Sequence, residues 1–178
     1  MAFNLRWYQE EGIQALMNYD YTHNPLLAFP TGTGKSVIIA EFCKRAMFAF
    51  PLTRILMLTH VKELVEQNAS KLLSVWETCP LGIYSAGLKQ RDTLNPIIFG
   101  SMQSVHKYIQ KCNENNVPHF GRIDLLIIDE AHLVSEKDET SYRSIIQALF
   151  EVNPYIKVIG LTATPYRLKG GMLTDCGI

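Results

Sequence analysis

The stretch that most constrains the fold of this chain lies near its N-terminus, where an apolar segment runs into a glycine-rich turn. PLLAFP at 25–30 suits a short strand, and TGTGKS follows at 31–36. The segment KSVIIAEFCKRAMFAF at 35–50 carries apolar residues at helical spacing and stops at Pro51. The stretch therefore predicts a strand, a tight turn and a helix in direct succession.

The same alternation of apolar runs and amphipathic segments continues along the chain. Further strands are predicted at 54–60, 81–87, 96–101, 123–132 and 155–165, and further helices at 61–76, 102–112 and 140–152. Strands that are apolar throughout and separated by helices indicate an α/β fold with a parallel sheet, flanked by helices on both faces. In such sheets the loops at the carboxyl ends of the strands form the functional site.

Composition restricts the class of protein only loosely. The chain has 178 residues, of which 47% are apolar, enough for one domain with a real core. Its formal net charge of zero argues neither for nor against nucleic acid. The N-terminus lacks the features of a signal peptide, and no apolar run reaches the roughly 20 residues that span a bilayer. We expect a cytoplasmic protein, with no membrane partner.

The four cysteines lead to the same expectation. Cys43, Cys79, Cys112 and Cys176 are widely spaced and form no CxxC pair, which argues against a zinc site. They are interpreted as reduced, mostly buried thiols of a cytosolic protein.

Residues 30–36 have the composition of a phosphate-binding loop. Gly32 and Gly34 let the backbone curl so that several N–H groups point at one anion, and the helix that follows adds its positive end. Lys35 can reach the β- and γ-phosphates of ATP, and the Ser36 hydroxyl can bind Mg²⁺. The strict pattern asks for glycine where this chain has Phe29. The alternative is a glycine-rich turn with a solvated lysine.

A second candidate group ends the strand at 123–132. Asp129 and Glu130 lie at its tip, where burial of a carboxylate is costly unless a cation or hydrogen bonds compensate. Mg²⁺ bound to ATP would do so, with Asp129 holding the metal and Glu130 acting as general base on the attacking water. The alternative is a pair of acids that satisfies the backbone donors of a helix N-terminus. His132 is either structural or links this group to the turn at 162–164.

These motifs together resemble the first RecA-like domain of superfamily two helicases and translocases. They occur in the expected order over nearly the whole chain: LRWYQEEGI, FPTGTGKS, LTHVKELVEQN, FGSMQSV, DEAH and LTATP. Within that superfamily the sequence looks most like the RadD-like branch of bacterial and phage DNA repair helicases. The resemblance implies a RecA-like P-loop NTPase fold, with residues 1–178 forming a single ATP-binding domain that uses ATP and Mg²⁺.

The resemblance also implies roles for individual residues. Arg6 and Gln9 would contact adenine, since a glutamine amide can donate and accept at once; the alternative is an amphipathic helix with a solvated Gln9. The predicted nucleotide site then consists of Arg6, Gln9, Pro30, Thr31, Gly32, Thr33, Gly34, Lys35, Ser36, Asp129 and Glu130. Residues His132, Thr162 and Thr164 would couple the phosphates to the nucleic acid, unless the threonines merely cap a strand end.

Two further motifs would contact the nucleic-acid backbone, without reading its sequence. The residues are Thr59, His60, Lys62, Gly100, Ser101, Gln103 and Ser104. Lys89 and Arg91, in the segment at 85–92, would supply further phosphate contacts. The expected nucleic acid is single-stranded or branched DNA. Surface serines and lysines are usually just solvated, so this assignment depends on the other motifs.

Members of superfamily two carry a second RecA-like domain, and this domain supplies an arginine finger. The resemblance implies that this chain would need such a domain in cis or in trans. An arginine finger can contribute a factor of about 10³ to 10⁵ in rate. We therefore expect the chain alone to bind ATP weakly, to hydrolyse it poorly and not to unwind duplexes. Three alternatives remain: the motor of a restriction enzyme, an RNA helicase, and a nucleic-acid- or partner-binding module that hydrolyses nothing. The intact acid pair argues against the last.

Overall fold

The computed structural model describes residues 4–20, 23–130, 136–163, 166–167 and 171–172. In these ranges the elements are α1 Trp7–Asn18, β1 Leu26–Ala28, α2 Lys35–Ala49, β2 Ile55–Thr59, α3 Lys62–Val75, β3 Leu81–Ser85, β4 Gln90–Arg91, β5 Ile97–Ser101, α4 Met102–Glu114, β6 Leu125–Ile128, α5 Glu136–Val152, β7 Lys157–Thr162, β8 Tyr166–Arg167 and β9 Gly171–Met172.

Seven of the strands form one sheet in the order β1-β7-β6-β2-β5-β3-β4. All neighbours in it are parallel except β4, which runs antiparallel to β3. β8 and β9 pair separately and antiparallel. The predicted α/β architecture with a mostly parallel sheet is confirmed, and its parallel strands end at one edge.

Helices cover both faces of this sheet, which explains why the strands are apolar throughout. Along β2, Ile55 and Met57 belong to the apolar cluster that α1, α2 and α3 complete. Leu56 and Leu58 point to the other face and pack with residues of α4 and α5. Successive side chains of a strand alternate between faces, so a strand buried on both sides shows no polar alternation.

The predicted strand at 123–132 is too long, because its pairing ends with β6. The N–H of Asp129 still donates to the carbonyl of Leu58 at 2.9 Å, but Glu130 has a φ of 52° and turns the chain out of the strand. β7 starts at Lys157, later than the strand predicted at 155–165, because Asn153 accepts hydrogen bonds from the N–H groups of Tyr155 and Ile156 and forms a turn there.

Two other predicted boundaries need correction. The strand predicted at 81–87 ends at Ser85, and a turn then leads into β4, which was not predicted. A strand of two residues is too short to show a periodic pattern. The last described helix starts at Glu136 rather than at 140.

The described residues include three of the four cysteines and all of the helices given above. Cys43 and Cys112 are buried, Cys79 is half-buried, and all three are free thiols, whereas Cys176 lies outside the described residues. In the part of the chain that the structure describes, no helix has the length and apolarity needed to cross a membrane.

Candidate functional site

The phosphate loop joins β1 to α2 and has the backbone that its glycines permit. Gly32 and Gly34 have φ values of 81° and 83°, in the left-handed region that favours glycine. Gly34 is the N-cap of α2, whose first residues are Lys35 and Ser36. The loop is closed by the Thr33 hydroxyl, which donates to the carbonyl of Pro30 at 2.6 Å. The N-terminal N–H groups of α2 therefore begin directly at the loop, as anion binding requires.

Phe29 occupies the position of the missing glycine, and the structure explains why the loop still forms. The N–H of Phe29 donates to the carbonyl of Thr162 at 2.9 Å, so the backbone still continues the pairing of β1 with β7. The ring of Phe29 lies 6.1 Å from the ring of Tyr8, between ring centroids, against α1. The turn proper thus begins after Phe29, and this position needs no glycine.

Lys35 and Glu130 come from distant parts of the chain and form an ion pair. The Lys35 Nζ lies 3.3 Å from the Glu130 Oε1, with side chains that are 10% and 17% exposed. Lys35 also donates to the carbonyl of Phe29 at 3.4 Å. The predicted phosphate-binding lysine and the predicted general base are therefore neighbours, at the carboxyl end of the parallel strands.

Asp129 lies next to this pair and is almost completely buried. One carboxylate oxygen accepts from the Asn68 Nδ2 at 2.9 Å, and the other accepts from the N–H of Glu130 at 3.0 Å. Burial raises the pKa of Asp129, and the charge of Glu130 raises it further, while Asn68 and Lys35 lower it. A buried carboxylate whose charged form is disfavoured gains from a nearby cation.

The donor set suits Mg²⁺ bound to a nucleotide. Asp129 offers a buried carboxylate, Ser36 offers a hydroxyl at the first turn of α2, and Lys35 offers a positive charge for the phosphates. Gly32 leaves open space around the loop, since a Cβ placed there would meet nothing within 4 Å. Among the described residues, no group of three or more His, Cys, Asp or Glu could hold a metal by itself. The phosphates of the nucleotide would have to complete the coordination.

Helix α1 is tied to the phosphate loop through Gln9. Its Nε2 donates to the carbonyl of Thr33 at 2.8 Å, and its Oε1 accepts from the N–H of Arg6 at 3.0 Å. The Tyr8 hydroxyl also donates to the Thr33 carbonyl, at 3.3 Å, and the Arg6 guanidinium donates to that hydroxyl at 3.0 Å. Gln9 is buried and not merely solvated. Its contact with adenine stays a prediction, and Tyr8 was missed.

The predicted nucleic-acid contacts lie along the same sheet edge. The register of β2 and β5 pairs Leu58 with Gly100 and Thr59 with Ser101, so the two motifs are side by side. The Ser101 hydroxyl donates to the Ser104 hydroxyl at 2.8 Å, and the Ser104 oxygen accepts from the N–H of Ala86 at 2.9 Å. A Cβ at Gly100 would lie 2.7 Å from a methyl of Val105, so close packing of α4 explains this glycine.

The remaining residues of these motifs differ in exposure. Lys62 and Gln103 are exposed, whereas Thr59 is buried and donates from its hydroxyl to the carbonyl of Val61 at 3.1 Å. The His60 ring packs edge-on against Tyr142, with centroids 5.6 Å apart. Contact of these residues with nucleic acid stays a prediction.

The coupling residues are only partly described. Thr162 is fully buried at the end of β7, where it pairs with Ala28 beside the start of the phosphate loop. His132 and Thr164 lie outside the described residues. The structure thus brings Thr162 next to the loop, and its role in coupling stays a prediction.

Asn68 is a second residue of the site that sequence reasoning missed, after Tyr8. It lies on α3, is 2% exposed, and hydrogen-bonds directly to Asp129. The same helix begins at Lys62, next to Thr59 and His60. One rigid element therefore connects the predicted nucleic-acid contacts with the predicted metal ligand. A polar residue among the apolar positions of the helix was the available signal.

The chain is similar in sequence and in fold to known proteins. A sequence model of the family described as "Type III restriction enzyme, res subunit" matches residues 2–167. The helicase domain of Hef from Pyrococcus furiosus superposes with a TM-score of 0.69 at 21% identity, covering 96% of this chain and 34% of that one. This superposition shows that the chain has the fold of that helicase domain. The chain belongs to the type III restriction enzyme res subunit family.

Curated relatives are similar over most of the chain. The DEAD-box ATP-dependent DNA helicase Fancm of Drosophila melanogaster is 26% identical over 179 residues, covering 97% of this chain. The ATP-dependent DNA helicase MPH1 of Candida albicans is 26% identical over 166 residues, covering 92% of this chain. The chain spans only 12% and 13% of the lengths of these two relatives.

Proposed function

We propose that the chain is the ATP-binding motor domain of a DNA helicase or translocase, and that it hydrolyses ATP when a second RecA-like domain completes the site. The observation that carries the proposal is the convergence of Lys35, Glu130 and Asp129 beside a glycine loop. A protein that only bound nucleic acid would have no need of a general base next to the phosphate-binding lysine.

The proposed reaction is attack of water on the γ-phosphate of ATP, releasing ADP and phosphate. Mg²⁺, when bound with the nucleotide, neutralises charge on the phosphates. Lys35 would bind the phosphates, and Ser36 and Asp129 would hold the metal. Glu130 takes the proton of the attacking water, so it must first exchange its ion pair with Lys35 for contact with that water. The adenine lies near Arg6, Tyr8 and Gln9.

DNA is proposed as the nucleic acid because the curated relatives are named as DNA helicases. The family description supports the motor of a restriction enzyme as the second candidate. The closer resemblance to the RadD-like repair branch stays a prediction, since the reported relatives are of the Fancm and MPH1 type. The same proposal includes two further points. The preferred DNA is single-stranded or branched, and residues 1–178 form a single domain.

The test is ATP turnover by the chain with and without single-stranded DNA. We expect weak turnover that DNA stimulates and that Lys35→Ala abolishes. Lys44→Ala is the matched control, because Lys44 lies on the same helix and its Nζ is 4.0 Å from a carboxylate oxygen of Glu41. Adding a second RecA-like domain from a relative in trans should increase the rate.

Two results would contradict the proposal. DNA-stimulated turnover that survives Lys35→Ala would mean that another site hydrolyses ATP. Lys35-dependent nucleotide binding with no turnover, even after a second domain is supplied, would favour the binding module over the motor.

A further inference from the structure

A cavity of about 650 Å³ lies beside α4, away from the phosphate loop. It is lined by residues of α4 at helical spacing, from Gln103 and Ser104 at the start of the helix to Asn115 beyond its end, and by Tyr84 and Arg91 on the other side. We call this cavity the α4 groove. It follows the whole length of the helix and begins at Gln103 and Ser104, two of the predicted nucleic-acid contacts.

The α4 groove is positively charged although the chain as a whole is neutral. Arg91, Lys107 and Lys111 line it, and none of the described residues that line it is acidic. Among the described residues these three cations form no salt bridge, and all three are exposed. Lys107 and Lys111 are one helical turn apart, about 6 Å along the axis. The charges are thus spread along the groove.

Aromatic rings form the floor of the groove and hold one of its cations. The centroids of Tyr84 and Tyr108 are 4.9 Å apart, and both rings also contact Phe120. The Arg91 guanidinium lies 5.3 Å from the centroid of the Tyr84 ring, within the range of a cation–π contact. Arg91 lies on β4, whose pairing with β3 fixes it at the edge of the sheet.

We propose that the α4 groove binds the phosphodiester backbone of a DNA strand where it passes beyond Ser101 and Ser104. This inference rests on the proposed function and extends it. A strand of DNA is the occupant that matches charges spread along a groove, whereas a single small anion would need them gathered at one point. Continuity with Gln103 and Ser104 favours the same strand over an acidic peptide.

The proposal predicts that the groove matters only for longer strands. A short oligonucleotide would reach the predicted contacts at the ends of β2 and β5, where Lys62 and Gln103 are exposed, and stop there. A longer one would extend along α4 and gain phosphate contacts with Lys107 and Lys111. These contacts carry no base information, so the gain should not depend on sequence.

The experiment measures binding of fluorescein-labelled oligothymidylates of increasing length by anisotropy, over a series of salt concentrations. The variant is Lys107→Gln with Lys111→Gln. Each phosphate contact on a single strand contributes about 0.7 to the slope of log affinity against log salt, so the slope for long strands should fall by about 1.4. The short oligonucleotide should bind with an unchanged slope.

The matched control is Lys44→Gln with Lys71→Gln, which removes the same charge from α2 and α3 on the opposite face of the sheet. It should leave the slope for long strands unchanged. Circular dichroism checks that both variants fold, and Lys107→Gln alone, with about half the change in slope, replaces the double variant if that one does not fold.

Each contrary outcome has a distinct meaning. If the chain binds DNA normally and the groove variant keeps its slope at every length, the groove is not part of the DNA path. Equal competition by polyglutamate or by inorganic phosphate, at matched ionic strength, would make the groove a general anion site and overturn the assignment to DNA. If the unaltered chain binds no DNA at any length, the proposed function fails together with this inference.

Discussion

At the scale of single residues, Asp129 shows how the candidate site is built. It is 4% exposed, and its two carboxylate oxygens are held by Asn68 and by the backbone of Glu130. The sequence predicted Asp129, Glu130 and Lys35 because their residue types and order are informative. Asn68 ends the motif LTHVKELVEQN but received no role, because it lies 61 residues from Asp129 and the sequence does not show that the two side chains meet.

Replacing Asn68 tests its contribution to Asp129. We expect Asn68→Leu to lower the free energy of unfolding by about 1.5–3 kcal/mol at neutral pH, because a buried carboxylate loses a hydrogen-bond donor. Turnover per folded molecule should fall as well, since the orientation of the predicted metal ligand is lost. Chemical denaturation and an ATPase assay measure the two effects.

Asn153→Leu is the matched control. Asn153 is also buried, and its Nδ2 donates to the carbonyl of Ile123 at 2.9 Å, on the side of the sheet remote from the loop. It should destabilise the fold without changing turnover per folded molecule. Equal loss of turnover in both variants would mean that Asn68 acts only through stability.

The effect of Asn68→Leu should depend on pH in a defined direction. The pKa of Asp129 is raised in the folded state, so its charged form opposes folding, and this opposition disappears as pH falls through that pKa. Asn68 lowers the pKa of Asp129, so its loss raises it further. The stability difference between the variant and the unaltered chain should therefore be largest above the raised pKa and shrink on acidification. Unfolding curves at several pH values measure it, and a difference that grows on acidification would contradict this account.

At the scale of elements, the contact between α1 and the phosphate loop is set by Gly34. A Cβ there would lie 2.6 Å from the Gln9 Nε2, whereas a Cβ at Gly32 would meet nothing within 4 Å. Both glycines have a positive φ, so alanine is strained at either position. The sequence predicted both glycines from their spacing, but it could not show that one of them also makes room for α1.

Substituting the two glycines separates these effects. Gly32→Ala should lose about 1–2 kcal/mol of unfolding free energy from backbone strain alone. Gly34→Ala should lose more, because it also displaces Gln9 from the carbonyl of Thr33. In a Gln9→Ala background the two substitutions should become equally costly, which thermal or chemical unfolding can measure. Equal losses with Gln9 present would mean that its side chain moves away freely.

At the scale of the whole molecule, the order of the strands brings the motifs together. β1, β7, β6, β2 and β5 are consecutive in the sheet, so the phosphate loop, the acid pair and the predicted nucleic-acid contacts share one edge. The sequence predicted this edge because, in a parallel sheet whose strands are separated by helices, the loops that follow the strands all lie at its carboxyl end. It did not predict β4 or the pair of β8 and β9, since strands of two residues show no periodicity.

The α4 groove could not be predicted from the sequence for a related reason. Its cations come from β4 and α4, and only the fold brings Arg91 next to Lys107 and Lys111. The formal net charge of zero also gives no indication of a local cluster of positive charges. Distribution of charge over a surface depends on topology, which composition does not contain.

The central claim is that residues 30–36 and the acid pair form a nucleotide site, and titration calorimetry with ATP tests it most directly. This measurement does not depend on a second domain. The account predicts saturable binding that requires Mg²⁺, is lost in Lys35→Ala and is kept in Lys44→Ala. Absence of binding by the folded chain, or equal binding by the Lys35→Ala variant, would contradict it.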